Sequence, residues 1–180
     1  MTSPVRLLRL FFALCLSQLL VQCSSTKGGG GGGGSQWTYH YKPGKTSLLV
    51  GDQAVAQANI PTKVQRAISA GNRLRKMPYK FGGGHRKFED SGYDCSGTVS
   101  YVLHAMDMIN EPTTSEALRK FGRSGEGEWV TIYAKDGHAF LVIAGLRLDS
   151  TGSGRREHGP RWTKSSRSLK GFRARHPAGL

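Results

Sequence analysis

The stretch Gly92-Tyr93-Asp94-Cys95-Ser96-Gly97 decides how the rest of the chain is read. Directly after it, Val99, Val102, Leu103, Met106 and Ile109 recur at helical spacing. Cys95 is therefore predicted at or just inside a helix N-terminus. Unpaired backbone N–H groups and the positive end of the helix dipole meet there, and both favour a thiolate. The thiolate is the nucleophilic form of cysteine, so this is a natural place for a catalytic one. The competing reading is a small buried core residue, a common fate for cysteine.

The other two cysteines, Cys15 and Cys23, fall in a segment that reads as an export signal. Arg6 and Arg9 precede an apolar run from Leu10 to Val21. That run is too short to span a bilayer comfortably, and a cleaved signal over residues 1–22 is expected. Leu20-Val21-Gln22-Cys23 resembles a bacterial lipobox, with Gln22 departing from the small residue usual before the cysteine. Lipidation at Cys23 is the expectation, with plain secretion as the alternative. Residues 23–36 are a Gly/Ser-rich tether, with glycine throughout Gly28 to Gly34. A coil of this kind reaches roughly 20 Å. The remaining 37–180 form one domain, in which Cys95 has no cysteine partner. A single thiol in an exported domain marks a reactive group.

Upstream of Cys95, Trp37 to Tyr41 has strand composition and Pro43-Gly44 is a turn. Gly44-Lys45-Thr46 is not a phosphate-binding loop, because Tyr39 stands where the first glycine is required. Thr62 to Gln65 fits a capping box. Val64, Ala67, Ile68, Gly71 and Leu74 then share a helical face that ends before Pro78. Arg66, Arg73, Arg75 and Lys76 read as its solvated side. Pro78 to Gly84 is a loop in which glycine permits close backbone approach.

Downstream, residues 113–128 read as a loop or short helix followed by turns. Trp129 to Tyr133 is a strand, Lys135-Asp136-Gly137 a hairpin signal, and His138 to Ala144 an apolar strand. A two-residue turn at Ala144-Gly145 leads into Leu146 to Asp149. That register sets Asp149 opposite Phe140 and diagonal to His138, close enough for a carboxylate to meet an imidazole. Cys95, His138 and Asp149 would then form a nucleophile, a base and an orienting group. His158 is the alternative third member.

Three pieces occur in order: Pro78-Tyr79-Lys80-Phe81-Gly82-Gly83, Asp94-Cys95-Ser96-Gly97 and Gly137-His138. Together they resemble the NlpC-type cysteine peptidases, bacterial cell-wall hydrolases with a papain-like fold. The resemblance covers roughly Thr62 to Trp162. It implies an α+β domain with the nucleophile helix packed on an antiparallel sheet, expected to have four to six strands. It implies cleavage of an amide in peptidoglycan stem peptides, with no cofactor. Cys95 and His138 match the family's nucleophile and base. Asp149 departs from the His, Asn or Gln more often found third. The resemblance also places Tyr79 at the oxyanion, with Asp94 and Ser96 binding the stem peptide. An inactive wall-binding module, or an amidase or acyltransferase on the same scaffold, would share these residues.

The chain is strongly basic, at +14 over 180 residues. Arg155, Arg156, Arg161, Lys164, Arg167, Lys170, Arg173 and Arg175 follow Ser150, against one acid, Glu157. Such a surface attracts polyanions, and for an exported protein an anionic cell-wall polymer or membrane surface is the expected partner. No nucleic-acid motif is present. The tail has no periodic apolar stripe and is expected to wrap the surface, with Gly159-Pro160-Arg161-Trp162 as a turn. A zinc site from Cys95, His85 and His138 lacks paired ligand spacing, so no metal is expected. His40, His85, His104 and His176 read as incidental. A monomer is expected.

Overall fold

Two tight turns organise the centre of the domain. Lys135 pairs with His138 across Asp136-Gly137, and Ile143 pairs with Leu146 across Ala144-Gly145. Ala144 and Gly145 both have positive φ, 43° and 76°. That is the backbone of the two-residue turn whose twist matches that of the flanking strands.

The computed structural model describes residues 36–151 and 158–180. The expected export signal, Cys23 and most of the expected tether lie outside these residues, as do Arg155, Arg156 and Glu157. In chain order the elements are β1 (Gln36–Trp37), β2 (Leu48–Val50), β3 (Gln53–Val55), α1 (Thr62–Leu74), α2 (Cys95–Ala105) and α3 (Ser115–Leu118). There follow β4 (Arg123–Ser124), β5 (Val130–Lys135), β6 (His138–Ile143), β7 (Leu146–Thr151), β8 (His158–Thr163), β9 (Arg167–Ser168) and β10 (Arg173–His176). The fold is mixed α+β, with a six-stranded antiparallel sheet ordered β4-β10-β5-β6-β7-β8. No helix among the described residues is long and apolar enough to cross a membrane.

Side chains alternate across the sheet. Ile132, Leu141, Ile143 and Leu148 join the core shared with Val64, Ile68 and Leu74 of α1 and Val99, Val102 and Leu103 of α2. Each fully buried side chain of this size contributes about 1.5–3 kcal/mol by leaving water. Gly71 lets Trp162 approach α1: a Cβ there would lie 2.4 Å from the indole ring. Trp162 Nε1 also donates to Asn72 Oδ1 at 2.9 Å. The opposite face carries Tyr133 and Phe140, covered by Trp37, Leu169 and Phe172.

Several local expectations need correction. The tail does not merely wrap the surface: β8 forms one edge of the main sheet and β10 lies between β4 and β5. Gly159 and Pro160 read as a turn, yet an edge strand tolerates proline because one side needs no donor. A Cβ at Gly159 would lie 1.9 Å from the Met77 carbonyl oxygen, so close packing requires glycine there. The strand expected over Trp37 to Tyr41 shrinks to β1, which pairs only with two-residue β9. The capping box does not form. Pro61 precedes the first helical residue without a side-chain cap, and Gln65 Nε2 donates back to the Ile60 carbonyl at 2.7 Å. Helix α2 ends at Ala105, so Ile109 packs from beyond its end.

Candidate active site

Asp94 caps α2, its Oδ1 accepting from Gly97 N–H at 2.8 Å. The cap fixes Cys95 as the first helical residue. Cys95 is partly exposed and lines a cleft of about 380 Å³ together with Tyr79, Phe81, Gly137 and His138. Its Sγ lies 4.0 Å from the Gly137 carbonyl oxygen. The β5–β6 hairpin brings His138 to the wall of the same cleft.

The β6–β7 register is the one inferred from the turn: Leu141 faces Leu148 and Val142 faces Arg147. It puts His138 Nε2 3.1 Å from Asp149 Oδ1. Burial acts most strongly on His138 and opposes its charged form. The Asp149 and Cys95 hydrogen bonds, with the charges of both groups, outweigh burial and raise its pKa above the ordinary 6.5. His158 is exposed at the start of β8, opposite Thr151. Asp149 is the side chain that holds the His138 ring.

Asp149 is only 2% exposed. A carboxylate at that depth requires compensating charge. Arg167 Nη1 lies 3.2 Å from Asp149 Oδ2, and Arg147 Nε lies 3.8 Å from the same atom. Arg147 sits over the Trp37 and Phe140 rings, and Arg167 over Phe140 and Phe172. Burial lowers the Arg147 pKa most. Asp149 opposes that effect, while Arg167 and Arg161 reinforce it. This arginine cage was not anticipated from sequence. The excess of arginine in the tail was visible, but not its convergence on one carboxylate.

Tyr79 lines the cleft, and its backbone bridges to Tyr93. Phe81 projects at the rim, 90% exposed. Asp94 and Ser96 are buried and do not line this cleft. Asp94 Oδ2 accepts from Gly82 N–H at 3.1 Å, tying the glycine loop to the helix start. His85 Nε2 lies 3.0 Å from Asp94 Oδ1 and 2.9 Å from Ser96 Oγ. The histidine set aside as incidental is thus part of the clasp under Cys95. The glycine run beside it was the available signal, since loops that pack this closely need internal polar ties. Gly83 and Gly97 meet without side chains: a Cβ on Gly97 would lie 1.9 Å from the Gly83 carbonyl oxygen.

His104 stacks on Phe88, and His176 Nδ1 lies 3.1 Å from the Gly125 carbonyl oxygen. Among the described residues, no group of three or more His, Cys, Asp or Glu side chains is placed to hold a metal ion. No protein-family model matches this sequence, and no curated protein matches it.

Proposed function

We propose that this chain is an exported thiol hydrolase that cleaves an amide bond in peptidoglycan stem peptides, on a papain-like NlpC-type fold. The supporting observation is the meeting of Cys95, at the start of α2, with a His138 ring held by Asp149 beside an open cleft. In this reading His138 takes the Cys95 proton and the sulfur attacks the amide carbonyl. The Cys95 N–H at the start of α2, which has no intrahelical acceptor, and the Tyr79 hydroxyl stabilise the oxyanion. The C–N bond breaks as His138 returns the proton to the leaving amine. Water then hydrolyses the thioester and restores the thiol. Asp149 holds the imidazole orientation, while Asp94 and Ser96 hold the nucleophile and its loop in place. The basic surface favours residence on an anionic cell-wall polymer or membrane surface.

The test is incubation of the protein with purified stem peptides and with intact peptidoglycan, followed by mass spectrometry of the products. Cleavage that disappears in Cys95→Ala and in His138→Ala, both still folded, supports the reading. Undiminished cleavage in Cys95→Ala overturns it. Wall binding without any cleavage by the parent protein overturns it in favour of a binding module.

A further inference from the structure

Asp149 divides its two oxygens between different partners. Oδ1 lies 3.1 Å from His138 Nε2. Oδ2 lies 3.2 Å from Arg167 Nη1 and 3.8 Å from Arg147 Nε. Oδ2 accepts no hydrogen bond among the described residues, so the arginines act on it by charge. Arg161 stands opposite Asp149 in the β7–β8 register, a third cation beside one carboxylate. Arg147 Nε and Nη1, Arg161 Nη1 and Arg167 Nε are buried and donate to no acceptor among the described residues. Crowding guanidinium groups around one buried carboxylate is a poor route to stability, since apolar side chains of like volume often serve as well or better. The surplus of positive charge calls for another account.

We infer that Arg147 and Arg167 are positioning residues that act through Asp149 Oδ2, limiting the carboxylate's pull on the His138 proton so that the ring can both accept and release it. The inference rests on the reading of this cleft as the seat of thiol hydrolysis and adds how its base is set. A buried carboxylate beside an imidazole favours the charged ring. A ring held charged releases its proton reluctantly and cannot accept one from thiol or water. Cations at the second oxygen counter that pull and leave Oδ1 to orient the ring. The other titratable groups lining the cleft are Cys95, Tyr79, Lys135 and Asp136, with His158 exposed nearby opposite Thr151. They are common to every variant used in the test.

The relation can be tested apart from hydrolysis. The His138 ring is titrated by NMR in the full chain carrying isotopically labelled histidine, its signals assigned by their loss in His138→Gln. Arg167→Gln is expected to raise the ring's proton affinity about 10-fold, and Arg147→Gln by a similar factor. Arg167→Lys keeps the charge and stays within about 2-fold of the parent. Lys63→Gln, on the exposed side of α1, leaves the ring unchanged. In an Asp149→Asn background, adding Arg167→Gln changes the affinity by less than about 2-fold, because the route through the carboxylate is gone. Should Arg167→Gln fail to fold, Arg167→Met takes its place, keeping an apolar stem against the Phe140 and Phe172 rings.

A ring that titrates in Arg167→Gln as it does in the parent overturns the inference. An equal rise in Lys63→Gln also overturns it, because overall charge would then be responsible. So does a rise undiminished in the Asp149→Asn background. The pH profile of stem-peptide cleavage extends the test: its alkaline limit moves upward in Arg167→Gln, whereas a uniform fall at every pH marks a structural role and overturns the inference. If the ring titrates as expected but the parent cuts no peptide, the hydrolase reading fails and the action of the arginines on His138 stands. If peptides are cut and the titration does not move, the reading stands and the inference fails.

Discussion

Two imidazole–carboxylate pairs lie beside Cys95, and they are built for different ends. His138 meets Asp149 at 3.1 Å, and His85 meets Asp94 at 3.0 Å. The distances are nearly equal, so distance does not separate them. The second partner does. His138 has a carboxylate at Nε2 and shares a cleft with Cys95, an arrangement suited to proton transfer. His85 directs Nε2 to both Asp94 and Ser96, an arrangement that fastens a loop to a helix. The first pair joins two strands of the main sheet. The second joins a glycine loop to α2.

The most severe test of this contrast removes the reacting pair. Under the proposed hydrolysis, Cys95→Ala and His138→Ala are each expected to lower stem-peptide cleavage by about 10³-fold or more, with thermal unfolding little changed in Cys95→Ala. Asp149→Asn keeps the shape but removes the charge. A fall of about 10²-fold in kcat is expected, with KM nearly unchanged, because the residue acts through His138. A wild-type rate in Asp149→Asn would erase the distinction between the pairs.

The clasp is tested through backbone contact. Gly97→Ala forces a methyl group against the Gly83 carbonyl oxygen, and a loss of about 1–3 kcal/mol in urea unfolding is expected. His85→Ala should cost about 1 kcal/mol of stability and lower cleavage only a few-fold. If His85→Ala instead matched His138→Ala in activity, the division of labour would be wrong.

A smaller effect concerns pH. The native His138 pKa is raised, so the native state favours its charged form. That stabilisation is present in full below about 6.5 and is lost as pH rises through the native value. The stability advantage of the parent over His138→Gln, read from urea midpoints, should therefore be greater at pH 5.5 than at pH 9. An advantage that grew with pH would show that the ring is held neutral.

The amino-acid pattern by itself determined the local framework. The period after Cys95 located α2, and two turn dipeptides located β5 to β7 and set their register. Since strand side chains alternate with period two, that register alone brought Asp149 within reach of His138. Tertiary structure decided the rest, because the contacts involved are remote in sequence and leave no local period. Edge strand β8 hides behind Gly159 and Pro160, and β10 is a basic run held by backbone bonds to two neighbours. The closing of Arg147 and Arg167 on Asp149, and of His85 on Asp94, depends on where those segments dock. The carboxylates Asp94 and Asp149 are buried, and a charge shielded from water holds its partners more strongly than one on the surface.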